Sequence, residues 1–231
     1  MGSQSMTAYQ KIKEMIFHME LLPGSKISEP QISARLDISR TPVHDALRRL
    51  AAEGLVTIGR NRGASVNDLS DKEIKEIGTV RLSQDILCAN LASYYGSAAD
   101  FEWLRQLAEA CEEAAARGDI YLRIKADNDF HLAIAKISDN AYLYRQQYAL
   151  YQQVHLVQIS KYKDIKTSLV QIHHHLPLIQ SIRNADLDEA AALIFDHIKD
   201  FYHLDSYVMK CYTRFEQSAS ADIPALKSAQ S

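Results

Sequence analysis

The sequence predicts a mainly α-helical chain: a winged helix-turn-helix at the N-terminus, then an all-helical bundle of about six helices. Three observations predict it. Asp37 to Leu50 is an amphipathic helix with an arginine-rich wet face. A basic hairpin flanked by Gly59 and Gly63 follows it directly. Beyond Val66 the apolar residues recur at helical spacing, and no alternating strand pattern returns.

In order, Tyr9 to Leu21 reads as the first helix, with Ile12, Met15, Ile16 and Met19 on one face, and Leu22-Pro-Gly-Ser25 breaks it. Ser28-x-x-Gln31 is a capping pattern that opens a short helix through Leu36. Asp37-Ile38 turns the chain, and Ser39 is the expected N-cap of the next helix. Pro42 falls in the first turn of that helix, where no intrahelical partner is lost. At about 100° per residue, Val43, Ala46, Leu47 and Leu50 share one arc. The opposite arc carries Arg40, Thr41, His44, Asp45, Arg48 and Arg49. Gly54 ends the helix, Leu55 to Ile58 and Ala64 to Val66 are short apolar strands, and Arg60 and Arg62 sit at the tip between them. Such a helix suits a DNA major groove, and such a tip suits phosphates or a minor groove.

Asn67 to Ser70 reads as the link to the bundle. Ser70-x-x-Glu73 opens a long helix from Asp71 to Tyr95; further helices are expected over 100–117, 120–137, 141–162, 165–183 and 187–212, the last capped by Asp186-x-x-Glu189. Residues 216–231 are small, polar and aperiodic, so a disordered tail is expected there. Gly2 to Ser5 read as an expression remnant ahead of Met6. The expected division is 1–5 remnant, 6–69 DNA-binding domain, 70–215 helical domain and 216–231 tail.

Of the 231 residues, 47% are hydrophobic and 24% charged, enough for real cores in an ordinary soluble chain. No apolar run reaches the roughly 18 residues a membrane span needs, and no signal peptide is read at the start, so a cytoplasmic location is expected. The three cysteines lie far apart in helical contexts, which fits reduced, buried thiols. A net charge of −3 argues against nucleic acid, but it is divided. Residues 1–67 hold nine Lys/Arg against six Asp/Glu, a net of +3, and residues 68–231 hold 17 against 23, a net of −6. One basic module is thus joined to an acidic one.

Nine histidines are many for this length. Asp127 and His131 are four apart on one expected helix and project side by side. His175 lies 11 residues before Asp186 and His197 lies 11 after it. If the last two helices form an antiparallel hairpin, both imidazoles sit about 16 Å from the turn, at about 1.5 Å per residue. One carboxylate and three imidazoles suit a divalent ion, Zn²⁺, Ni²⁺ or another transition metal. Taken singly, each histidine reads equally as a hydrogen-bonded core or surface residue.

The residues also carry a resemblance. LLPGSKISEPQISARLDISRTPVHDALRRLAAEGLV followed by NRGASV resembles the winged-helix domain of the GntR family of bacterial transcription regulators over 6–66. The family usually carries arginine where this chain has His44, so its usual operator bases are not carried over. ADNDFHLAIAKISDNAYL at 126–143, with the 22-residue spacing of His175 and His197, resembles the FCD ligand-binding domain of FadR-type members. The resemblance places the metal ligands on Asp127, His131, His175 and His197. His173 and His174 are extra, and His174 stands where the family often has an acid, which leaves open whether it replaces or assists His175. The resemblance also places Arg81 beside a bound organic acid, where its guanidinium would pair a carboxylate; read alone, Arg81 is a helix-surface ion pair. Asn140, Tyr144 and Tyr148 are further candidates for the cavity, or else a helix start and core.

The expected function is a metabolite-responsive regulator, not an enzyme. Two chains pair as a homodimer and bind a two-fold symmetric double-stranded operator. Arg40 and Arg48 read guanines with His44 and Thr41 as secondary readers, while Arg35, Arg49, Arg60 and Arg62 hold phosphates. A small carboxylate at the metal site controls operator affinity. A metal-sensing regulator is one alternative; a metal-dependent hydrolytic enzyme is another.

Overall fold

The computed structural model of the chain describes residues 2–59, 63–161 and 175–210. The elements run α1 (Ser3–Phe17), β1 (Lys26–Ile27), α2 (Glu29–Leu36), α3 (Arg40–Ala52), β2 (Val56–Gly59), β3 (Gly63–Val66), α4 (Asp71–Tyr95), α5 (Ala98–Ala116), α6 (Ile120–Ile137), α7 (Ala141–Lys161), α8 (His175–Arg183) and α9 (Leu187–Ile198). The mainly α fold with an N-terminal winged helix and a helical bundle is as the sequence predicts.

In the N-terminal part, α1, α2 and α3 bury one stripe each, and α3 contributes Val43, Ala46, Leu47 and Leu50, all fully buried. Removing each of the two leucines from water contributes about 1.5–3 kcal/mol. Ser28 caps α2 by accepting from Gln31 N–H, whereas Ser39 precedes α3 without a side-chain cap bond. Between the two helices Asp37 is left-handed (φ 52°), a conformation that aspartate tolerates. The wing is a three-stranded antiparallel sheet in the order β1-β3-β2, with Val56 opposite Val66 and Lys26 opposite Ser65. The two-residue β1 carried no alternation that the sequence could reveal. Helix α1 begins earlier than expected, at Ser3, and it ends early, at Phe17, because Met19 turns left-handed (φ 60°) and Glu20 and Leu21 return their N–H groups to Met15 O.

The bundle core joins Ile74, Leu82, Ile86 and Ala89 of α4 to Phe130 and Ile134 of α6, Val154 and Val157 of α7, Ile182 of α8 and Ile194 of α9. Ser70 and Glu73 form the expected reciprocal cap of α4, Ser97 and Asp100 form another at α5, and Asp186 accepts from Glu189 N–H at α9. The last helix departs from expectation: α9 stops at Ile198 and does not run on to 212. His203 turns left-handed, and Tyr202 swings inward against Gly78, where an added Cβ would lie 2.4 Å from the Tyr202 Cβ. Lys75 anchors the turn through Asp205 at 2.7 Å. A helical stretch resumes at 206. The expected tail at 216–231 and residues 165–174 of the expected fifth bundle helix lie outside the described residues.

The two parts share apolar contacts. Ile124 of α6 and Leu156 and Ile159 of α7 belong to the same buried cluster as Ile12, Ile16 and Leu47. Gly54, left-handed at the end of α3, is pressed against Gln153 of α7. Among the described residues no helix is long and apolar enough to cross a membrane.

Candidate functional site

The exposed face of α3 carries Arg40, Thr41, His44 and Arg48, all open to solvent. His44 Nδ1 lies 3.2 Å from Glu29 Oε1, which steadies the ring at the α2–α3 corner. Arg35 is exposed and pairs with Glu20 at 2.8 Å. Arg49 is placed differently from the expectation that it holds phosphate. Its guanidinium lies 4.0 Å from the Tyr9 ring centre, and its Nε donates to Glu53 Oε1 at 3.2 Å, so protein contacts with α1 fix it on the flank of α3. Arg60 and Arg62 lie outside the described residues.

Inside the bundle, α6 presents Asp127 and His131 one turn apart, α8 presents His175 at its first turn and α9 presents His197. The hairpin of α8 and α9 brings the two imidazoles level, with ring centres 5.1 Å apart, and α6 completes the set. One ligand atom from each of the four lies within 4.8 Å of the others, and all four residues are buried. His131 Nε2 and His197 Nε2 are 3.2 Å apart. Two nitrogens bound to one ion at about 2.1 Å stand about 3.0–3.4 Å apart for angles of 90–109°. His175 Nε2 and Asp127 Oδ1 are 3.2 Å apart yet not aligned for a hydrogen bond, and neither has a hydrogen-bond partner among the described residues. The unpartnered atoms of His175 and Asp127, converging with the two other imidazoles, are what a shared cation would satisfy, so the donor set fits a divalent metal.

The surroundings favour the protonation states a metal needs. Burial, with Arg81 nearby, pushes His131 well below its ordinary value, and burial takes His197 down to about 4 against the pull of Asp127. Both rings are therefore neutral at pH 7, with a lone pair to give. Burial works against the Asp127 charge, but Arg123 and the imidazoles of His175 and His197 hold the carboxyl well below its usual range. Gln158 donates to Asp127 Oδ2 at 2.8 Å, and Asp85 Oδ2 lies 3.7 Å from His131 Nδ1, so outer groups orient two of the four.

Arg81 is no surface residue: it is 2% exposed. Its Nε donates to Asp85 at 3.1 Å and one Nη donates to Tyr202 at 3.3 Å, with the Tyr151 ring centre 5.1 Å away. The other Nη has no hydrogen-bond partner among the described residues. Tyr151 and Gln147 also donate to Asp85, so Asp85 is fully engaged.

Three expected effector residues sit elsewhere. Asn140 is exposed and accepts from Leu143 N–H at 3.0 Å and Tyr142 N–H at 3.2 Å, capping α7. Tyr144 lies beside it in a groove with Lys136 and Asp139. Tyr148 is 45% exposed and faces the winged helix, with Lys13 Nζ 5.9 Å from its ring centre. In the same turns of α7 it is the buried Gln147 that faces the cluster, through its bond to Asp85. Sequence reasoning missed Asp85, Arg123, Gln158, Tyr151 and Tyr202. Asp85 stands four residues after Arg81 and Arg123 four before Asp127, a spacing that could have exposed both pairs.

Comparison with known proteins agrees with this architecture. Residues 4–66 match the profile of the bacterial regulatory proteins of the gntR family, and residues 76–200 match that of the FCD domain. The chain is 24% identical over 198 residues to the HTH-type transcriptional regulator YdhC of Bacillus subtilis, covering 85% of this chain and 88% of that one. It is 23% identical over 192 residues to the HTH-type transcriptional repressor RspR of Escherichia coli, covering 83% and 84%. Among solved structures, E. coli McbR/YncC superposes with a TM-score of 0.76 at 19% identity, over 92% of this chain and all of that one, and shares the fold. These relatives are named as transcriptional regulators. The chain belongs to the gntR family of bacterial regulatory proteins and is a DNA-binding transcriptional regulator, not an enzyme, with a C-terminal FCD effector domain.

Proposed function

We propose that this regulator is a cytoplasmic homodimer whose operator affinity is set by a small carboxylate bound at a metal ion in the helical domain. Residues 6–69 form the DNA-binding unit and 70–215 the sensing and pairing unit. Arg40 and Arg48 read guanines, with His44 and Thr41 beside them, and Arg35 holds phosphate as Arg60 and Arg62 do. Asp127, His131, His175 and His197 hold the ion, which supplies an open electrophilic position for a carboxylate oxygen. Arg81 supplies the second contact through its free Nη.

The observation that carries this reading is the convergence of four buried ligand atoms, with Asp85 linking His131 to a buried guanidinium that still has one unpaired nitrogen. A carboxylate that binds ion and guanidinium better in one domain arrangement than in the other shifts the populations of the two, and with them DNA affinity. Pairing is supported by Val80, Leu87 and Tyr94, which lie seven apart on α4 and are exposed by 47%, 47% and 81%. That stripe suits the same stripe on a second copy.

One observation favours a second reading, in which the ion itself is the signal: Arg81 is already paired with Asp85 and Tyr202. A calorimetric titration of citrate, malate and glutarate into zinc-loaded and chelator-treated protein separates the two. Carboxylate binding that requires zinc and weakens at least tenfold in Arg81→Lys supports the first reading. Tight zinc binding with no carboxylate binding supports the second.

A further inference from the structure

A cavity of about 220 Å³ lies where the winged helix meets the bundle, lined by Phe17 of α1, Asn128 of α6 and Tyr148, Tyr151, Gln152 and His155 of α7 among others. It is separate in its lining from the Asp127, His131, His175 and His197 cluster, and the function proposed above makes no use of it.

Three polar atoms of its lining lack hydrogen-bond partners among the described residues. Asn128 is 5% exposed, and neither its Oδ1 nor its Nδ2 has a hydrogen-bond partner among the described residues. His155 is 7% exposed, and its Nε2 is likewise without one. A buried carboxamide with both ends unsatisfied is costly to the fold and rare in native structures, so something is expected to meet it.

The walls define what that is. Asn128 offers a donor and an acceptor side by side, which a partner answers with an acceptor and a donor on one edge. The His155 ring stacks on Phe17 with centres 3.8 Å apart and planes within 3°, and Tyr148 and Tyr151 add flat apolar surface. The charged groups at the mouth neutralise each other: Lys125 is bonded to Asp129 at 2.5 Å. Nothing there calls for a charged ligand. We propose that this cavity is a second ligand site, built for a small, uncharged, planar molecule whose edge carries adjacent hydrogen-bond donor and acceptor groups, as a primary carboxamide or a nucleobase does.

The position gives such a ligand a route to both units. It touches Phe17 at the end of α1, and it touches Asn128, the neighbour of the metal-ligating Asp127. Occupancy therefore bears on how the DNA-binding unit sits against α6 and α7.

The test uses the full chain with nicotinamide and adenine as probes and acetophenone as an uncharged, planar control of similar size that accepts a hydrogen bond but lacks the adjacent donor. Binding is read by saturation-transfer NMR and by melting temperature, in zinc-loaded and chelator-treated protein alike. At saturation, nicotinamide or adenine is expected to raise the melting temperature by a few degrees in both preparations, and acetophenone to leave it unchanged. Asn128→Leu, which removes two unsatisfied groups at similar volume, is expected to melt no lower than the parent and to bind the probes at least tenfold more weakly. His155→Phe gives a second variant should the first not fold, and it too is expected to weaken the probes. The proposal is overturned if neither probe binds, if acetophenone binds as well, if both variants retain full affinity, or if binding is lost when zinc is removed, which would place the probes at the metal cluster.

Discussion

Replacing Arg81 with methionine separates what the buried guanidinium does for the fold from what it does for an effector. Arg81 and Asp85 are each 2% exposed on their side chains and 3.1 Å apart, so the variant leaves a carboxylate buried without its counter-ion. Breaking a buried pair in this way typically costs about 3–5 kcal/mol. Tyr151 and Gln147 still donate to Asp85, and burial, opposed by Arg81 in the parent, already raises its pKa. The residue can therefore shed its charge by taking up a proton, which places the expected loss at the lower end, about 3 kcal/mol. For a chain of this size that is a fall of roughly 6–12 °C in melting temperature. Adding Asp85→Asn removes the stranded charge and should return most of the loss. The assay is thermal and urea unfolding of parent, both single variants and the double variant, read as a double-mutant cycle. The folded double variant should still fail to bind a carboxylate. A loss below about 1 kcal/mol for Arg81→Met, or no recovery in the double variant, would refute the reasoning that the pair is a desolvated ion pair.

Three further outcomes are expected. Arg48→Ala should cost about 1–3 kcal/mol of operator binding and relax preference at one position, whereas Arg49→Ala, which loses the Tyr9 and Glu53 contacts, should lower stability without changing base preference; a binding series on duplexes with single randomised positions distinguishes them. Burial, with Lys13 and Lys125 nearby, takes His155 from 6.5 down to about 3, so the neutral ring contributes stability above pH 6.5 that is lost as pH falls toward 3. Between pH 7 and pH 5 this group should account for about 2 kcal/mol of that loss, and His155→Phe should flatten the acid limb of the unfolding profile by that amount. Leu87→Glu should break the exposed α4 stripe and convert the proposed dimer to monomer in light scattering; a parent of dimer mass with an unchanged mass in the variant would move the pairing surface elsewhere.

Periodic features were legible in the sequence, and features set by distant contacts were not. The boundaries of α4 and α6 follow from Ser70-x-x-Glu73 and from apolar spacing, and both helices start and stop where those signals place them. The α3 faces were readable for the same reason, since Val43, Ala46, Leu47 and Leu50 decide which side is buried. Equal offsets of His175 and His197 from the Asp186 turn were enough to predict that their rings meet. By contrast, α9 ends early because Tyr202 packs on Gly78, more than a hundred residues away in sequence, and no local signal marks that turn. Arg81 reads as a surface helix residue until Tyr151 and Tyr202 are brought over it. Asn140 stayed open between helix start and cavity because a helix cap and a ligand contact use the same side-chain oxygen, and only the fold shows that Leu143 and Tyr142 claim it.

In the proposed regulator one linkage joins a metal ion on Asp127, His131, His175 and His197, a carboxylate beside Arg81, and DNA on α3. Fluorescence anisotropy of a duplex selected by the protein from a randomised pool tests it directly, titrated with protein in the four combinations of zinc and organic acid. A change of about tenfold or more in DNA affinity that requires zinc and acid together, and is absent in His175→Ala, is the predicted result. Equal affinity in all four combinations would contradict the account.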